Sequence, residues 1–225
     1  MKAKIYRFLF IILLIIAVVL LSLIIRKRVN RNFDEKENQE IVEQFFDIYS
    51  YNNQDFENNI DTKNIENIED IEDIENNVKV NKVQSLKMRG YDVIGIVTIP
   101  KIQIEYPILA LEKSNPEETK VPMKFAIVKY WGGNVNDYGN LSIAGHNNHD
   151  GTMFGKTKKL VVGDIVKLTD TNNQTISYEI YDIFITDPND VNILKTEDNS
   201  IREVTLITCT NGNKQRLVLK AKEIK

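Results

Sequence analysis

VTLITCTNGNKQRLVLKAKEI, residues 204–224, contains two apolar runs, VTLITC and RLVLKAKEI, separated by TNGNKQ. Valine, isoleucine and threonine fit a pleated, half-buried surface, and Asn and Gly accept the backbone conformations of a tight turn. The stretch therefore reads as a strand, a turn and a returning strand. Cys209 closes the first strand and Arg216 opens the second, which places them across one turn on neighbouring strands. Six more runs of the same kind lie upstream: VIGIVTI at 93–99, IQIEYPI at 102–108, FAIVKY at 125–130, LSIAG at 141–145, DIVKLT at 164–169 and QTISYEIYDIFIT at 174–186. Eight short runs within about 130 residues predict an all-β barrel or sandwich. In the longest run Tyr178, Ile180 and Phe184 alternate with Ser177, Glu179 and Tyr181, yet both faces carry apolar side chains, as in a strand covered on each side.

The chain upstream has a different composition. All ten glycines, all five prolines, both histidines and the single cysteine lie at or beyond Gly90. Residues 5–25, IYRFLFIILLIIAVVLLSLII, carry Arg7 as their only charge. At about 1.5 Å per residue this stretch spans a hydrocarbon core about 30 Å thick. Arg26, Lys27 and Arg28 follow where a cleaved signal peptide would place small residues, so the segment reads as a retained anchor. Basic residues flank it on both sides, and the charge rule does not choose an orientation. The chemistry argued below places the large domain outside the cell.

Residues 34–50 put Ile41, Phe45, Ile48 and Tyr49 at helical spacing, with Asp34 able to cap the start and Glu37 three residues on. An amphipathic helix is expected there. Residues 52–77 are rich in Asn, Asp and Glu, and the isoleucines at 65, 68, 71 and 74 would wind around a helix rather than form one stripe. They read as an acidic spacer without the glycine-punctuated spacing of calcium loops. The expected organisation is a membrane anchor at 1–28, a helix and spacer at 29–89, and a β domain at 90–225.

With 42% hydrophobic and 27% charged residues the chain is ordinary for a globular protein, and its net charge of −3 leaves no basic excess for a nucleic-acid backbone. One cysteine excludes an intrachain disulfide, so Cys209 is either a buried filler or a working thiol. A nucleophilic thiol needs an acid or base, a donor for the developing oxyanion, and exposure to substrate. The only imidazoles, His146 and His149, sit in IAGHNNHDGTMFG (143–155), where a strand ends and a glycine-rich turn begins. Arg216 stays charged at any working pH and presents several donors in a fixed fork. Each residue also has a plainer reading, as a turn histidine, a core cysteine and a solvated edge charge. His146 and His149 with one distant thiol make a thin metal-ligand set, and the HExxH form is absent, so neither a metal nor a cofactor is expected.

Together, IAGHNN (143–148), GTMFGKTKKLVVGDIV (151–166) and TLITCTNGNKQRLVLKAKEI (205–224) resemble the histidine, middle-barrel and cysteine-to-arginine signatures of sortases, and IGIVTIPKIQIEYPIL (94–109) resembles the family's first strands. The resemblance covers about 135 residues and accommodates an amino-terminal anchor. It implies an eight-stranded sortase-like β-barrel with short helices. It also implies a transpeptidase that cleaves a carboxy-terminal sorting signal of Leu-Pro-X-Thr-Gly type between Thr and Gly and joins the protein to a cell-wall amine. By the same resemblance Cys209 is the nucleophile, His146 the acid/base, Arg216 the oxyanion and substrate-positioning group, and Thr208 a residue lining the site. The expected partners are secreted proteins bearing the signal, a wall-peptide amine and the membrane, with no nucleic acid. The short segment between residues 186 and 204 departs from class B, whereas the extension before residue 90 is similar to it; IPKI and GTMF read more like class D. A cysteine hydrolase using water and a non-catalytic membrane-tethered β module are the alternatives.

Overall fold

The structure is a computed structural model and describes residues 2–58, 85–111, 116–196 and 198–224. The β-branched runs form β1 (Lys87–Met88), β2 (Tyr91–Ile99), β3 (Ile104–Leu109), β4 (Ile127–Trp131), β5 (Gly139–Ala144), β6 (Ile165–Asp170), β7 (Thr175–Thr186), β8 (Arg202–Thr210) and β9 (Gln215–Glu223). Their spatial order is β1-β2-β3-β4-β5-β8-β9-β7-β6, and β6 pairs back onto β2. Strands β2 to β9 thus close an eight-stranded barrel, with β1 a short hairpin arm on β2. Closure leaves no long unpaired edge. The β3/β4 and β5/β8 pairs are parallel and the others antiparallel.

Strand alternation sorts the side chains into two layers. Val97, Ile99, Val204, Leu206, Leu217 and Leu219 belong to the cluster filling the barrel, while Ile96, Ile207 and Val218 belong to a second cluster on its outer wall. β7 changes parity along its length. Ile176, Tyr178 and Ile180 join the inner cluster, the pairing register slips between Ile180 and Asp182, and then Ile183 faces inward and Phe184 outward. The bulged residue, Tyr181, explains why both faces of this run read as apolar.

One helix, α1, runs from Lys2 to Asn58. No glycine or proline interrupts it, so a helix begun in the apolar segment has no cause to stop before the amphipathic one. Its first part, with Phe8, Ile11, Leu14 and Val18 exposed, is long and apolar enough to cross a membrane. Further along, one stripe turns onto the barrel: Ile41, Val42, Phe45 and Tyr49 pack with Met88, Val93, Ile96, Leu109 and Phe125. Phe45 is fully buried, which stabilises the docked helix by about 2–3 kcal/mol. Asn38 adds a polar tie, its Nδ2 donating to the Phe125 carbonyl at 2.6 Å.

Two expectations for this region change. Asp34 does not begin a helix; it lies inside α1, and its carboxylate accepts from Arg89 Nη2 at 2.6 Å, with Glu37 bound by the same guanidinium. Residues 52–58, whose composition suggested spacer, continue α1. The rest of the expected spacer lies outside the described residues.

Candidate active site

β8 and β9 are antiparallel, and their register sets Cys209 directly opposite Arg216. Opposed residues in such a ladder have Cα atoms roughly 4.5–5.5 Å apart, so side chains leaving on the same face are neighbours. That face is the outer wall of the barrel: Ile207 and Val218, two residues away along the same strands, belong to the outer cluster. Cys209 is a free cysteine and only partly buried, in keeping with the access a reactive thiol needs. Thr208, one residue earlier, takes the opposite parity. It is 3% exposed, and its Oγ1 donates to the Gly145 carbonyl at 2.7 Å.

His146 comes from the neighbouring strand. β5 and β8 run parallel, and Gly145 N donates to the Ile207 carbonyl at 3.2 Å, so β5 ends beside the end of β8. A side chain on Gly145 would press against Phe154 at 3.0 Å and Ile127 at 3.2 Å. Glycine therefore lets Phe154 and Ile127 pack closely against the backbone just before the histidine. Asn147 then donates Nδ2 to the Cys209 carbonyl at 2.8 Å, joining the histidine segment to the cysteine strand. The loop folds back on itself, with Phe154 N donating to the His146 carbonyl at 3.0 Å.

These strand ends open into a cleft of about 850 Å³ lined by His146, Thr208, Cys209 and Arg216. One wall is a 3₁₀ turn, η1 (Val191–Leu194), whose start is fixed by Asp190 accepting from Asn192 N at 3.0 Å. A second 3₁₀ turn, Pro122–Lys124, and Tyr130 of β4 also contribute to the lining. Val191, Ile193, Leu194 and Met123 make much of this lining apolar. Burial holds the His146 imidazole below its ordinary pKa, which favours the neutral, proton-accepting form. Arg216 Nη1 donates to the Asn213 and Gln215 carbonyls at 3.2 Å each. A guanidinium has five N–H donors, so others remain for a ligand in the cleft.

All four residues singled out in the sequence thus border one cleft, and His149 does not line it. Asn147 was not singled out. The only trace of it in the sequence is its place immediately after the histidine. Among the described residues, no cluster of three or more His, Cys, Asp or Glu side chains is placed to hold a metal ion.

The Sortase domain profile matches residues 97–224. No curated protein matches the sequence. Among solved structures the chain is similar to a Clostridium perfringens sortase D5 transpeptidase, at 26% identity over 85% of this chain and 98% of that one, with a TM-score of 0.55. A lid mutant of sortase A from Corynebacterium diphtheriae shares the fold at 24% identity, covering 60% of this chain and 72% of its own, TM-score 0.51. So does a Clostridium perfringens sortase C solved with the C-terminal cell wall sorting motif, at 23% identity, 60% and 71% coverage, TM-score 0.50.

Proposed function

The chain belongs to the sortase family, and from that premise we propose that it is a membrane-anchored cysteine transpeptidase that cleaves a Leu-Pro-X-Thr-Gly-like sorting signal between Thr and Gly. The observation that carries this reading is the meeting of Cys209, His146 and Arg216 at one cleft, from three strand ends. Acyl transfer needs a nucleophile, a proton carrier and an oxyanion donor, and these three side chains supply one each.

In the proposed cycle, neutral His146 takes the Cys209 proton as the sulfur attacks the threonine carbonyl carbon, and Arg216 donates to the oxygen as it gains negative charge. The tetrahedral adduct collapses, the C–N bond to glycine breaks, and His146 returns its proton to the departing amine. A thioacyl enzyme remains. An incoming amine then attacks the thioester, His146 accepts the amine's proton, and collapse releases a new amide and the Cys209 thiol. The apolar lining that Met123, Val191, Ile193 and Leu194 give the cleft suits the leucine and proline of the signal.

The segment between β7 and β8 holds only a short 3₁₀ turn among its described residues. Together with the match to the D5 enzyme along nearly its whole length, this favours a class D over a class B reading. The apolar part of α1 anchors the protein in the cell membrane, with the catalytic domain on the outer side, where wall amines and secreted substrates meet.

The test is product analysis with the full chain in detergent, a Leu-Pro-X-Thr-Gly peptide library and a diamine. Cleavage at Thr-Gly with the diamine joined to threonine, abolished in Cys209→Ala, is the expected result. Cleavage in which water is the only acceptor used would move the assignment to a hydrolase. A folded Cys209→Ala protein that cleaves at the wild-type rate would remove the cysteine mechanism.

A further inference from the structure

The loop carrying His146 is held from two sides. Toward the barrel, Asn147 is tied to the Cys209 carbonyl and forms a β-bridge with Met153. Toward α1, Arg31 forms an ion pair with Asp150. Between these contacts runs a relay. Met153 N donates to the Tyr106 hydroxyl oxygen at 3.0 Å, and the Tyr106 hydroxyl donates to the Glu35 carboxylate. Tyr106 is 4% exposed and lies on β3, while Glu35 lies on α1, ten residues beyond the end of the apolar segment. His146 also borders a smaller cavity of about 250 Å³ shared with Lys27, Arg31 and Glu35, so the imidazole stands between the cleft and the anchor helix.

The direction of the relay is forced. A backbone N–H can only donate, so the tyrosine oxygen must accept from Met153, and its single proton must go elsewhere. Glu35 is the acceptor that receives it. Met153 needs this support, because its φ of 49° lies in the left-handed region that a non-glycine residue adopts only when its surroundings hold it there. Burial raises the Glu35 carboxyl above the usual carboxylate range, yet protonated or not it offers an oxygen to Tyr106. No other part of the proposed chemistry uses Glu35 or Tyr106.

We propose that Glu35 of the anchor helix, acting through Tyr106 and the Met153 amide, is a positioning residue for His146, so that the docked helix is a working part of the active site and not only its tether. This rests on the reading of His146 as the acid/base. Glu35 touches neither substrate nor sulfur; it fixes the loop that carries the imidazole, and its loss lowers kcat while leaving substrate binding in the cleft alone.

The test compares Glu35→Ala, Glu35→Gln and Tyr106→Phe in the full chain, in detergent or nanodiscs. Steady-state kinetics are read beside hydrogen exchange of the Met153 amide. Glutamine retains a carbonyl acceptor for the tyrosine proton, whereas alanine does not, and phenylalanine removes both bonds. Glu35→Ala and Tyr106→Phe are expected to lower kcat about ten-fold at nearly constant KM and to speed Met153 exchange, with Glu35→Gln recovering most of both. Wild-type kcat in Glu35→Ala, or a Glu35→Gln as impaired as Glu35→Ala, overturns the proposal. His146→Ala serves as the control for the underlying reading: if it stays active, the acid/base assignment fails whatever Glu35 does. Met153 exchange then decides the relay independently of turnover, and unchanged protection in Glu35→Ala overturns it.

Discussion

Replacing Thr208 with valine keeps the side chain's shape and removes one hydroxyl. That hydroxyl donates at 2.7 Å to the carbonyl of Gly145, the residue before His146, from a position that is almost fully buried. The net value of such a bond is about 1 kcal/mol, and a buried carbonyl left without its donor costs about 1–3 kcal/mol. The expected destabilisation is therefore about 1–3 kcal/mol. For a domain of this size that lowers Tm by roughly 2–10 °C. The same bond joins the strand end bearing the histidine to the strand bearing the cysteine. Losing it is expected to lower kcat about ten-fold with little change in KM, since small misplacements of reacting groups are costly. Thr208→Ser keeps the donor and gives up one methyl, about 0.8 kcal/mol. Thermal unfolding of the full chain in detergent, followed by circular dichroism, and steady-state peptide cleavage read both effects. A valine variant as stable and active as wild type, or a serine variant no better than valine, refutes the argument.

Arg216→Ala is expected to lower single-turnover acylation by about 10²–10³, the usual loss for one oxyanion donor, and Arg216→Lys to restore only part of it because lysine lacks the planar fork; full recovery by lysine contradicts the donor geometry. By NMR, His146 should titrate below its ordinary value of about 6.5, because burial disfavours the imidazolium. The unfolded chain then binds the extra proton first, so this contribution to stability is complete above about pH 6.5 and declines as pH falls toward the folded pKa. A midpoint at or above the ordinary value counts against the burial argument. Gly155→Ala would place a methyl 2.1 Å from the Asn148 carbonyl oxygen, and the loop must shift to admit it. A loss of about 1–3 kcal/mol is expected in thermal unfolding, and an unchanged Tm would show that the loop yields freely.

The eight strands of the barrel could be read from the sequence because each is a short β-branched run bounded by turn residues, and the TNGNK turn fixed the pairing of Cys209 with Arg216 locally. What could not be read depends on contacts between distant residues. Closure of the barrel rests on β2 meeting β6, and the placement of His146 beside Cys209 rests on parallel β5/β8 pairing across some sixty residues. The Thr208 and Asn147 ties follow from that pairing and leave no periodic trace. The two-residue strand β1 is too short to carry a pattern. In the amino-terminal region the basic run 26–31 and the cap-like Asp34 suggested a boundary. The structure keeps one helix because nothing in the backbone chemistry of those residues breaks it, and the docking of Phe45 and Asn38 onto the barrel holds it.

The central claim is that Cys209 carries the acyl group. Intact-protein mass spectrometry of the full chain, mixed with a sorting-signal peptide in the absence of any amine and quenched in acid, tests it most directly. The account predicts a mass increase equal to the peptide portion ending in threonine, mapped to Cys209 and discharged when an amine is added. Peptide cleavage with no adduct on Cys209 at any time of quenching, or an adduct on another residue, would contradict it.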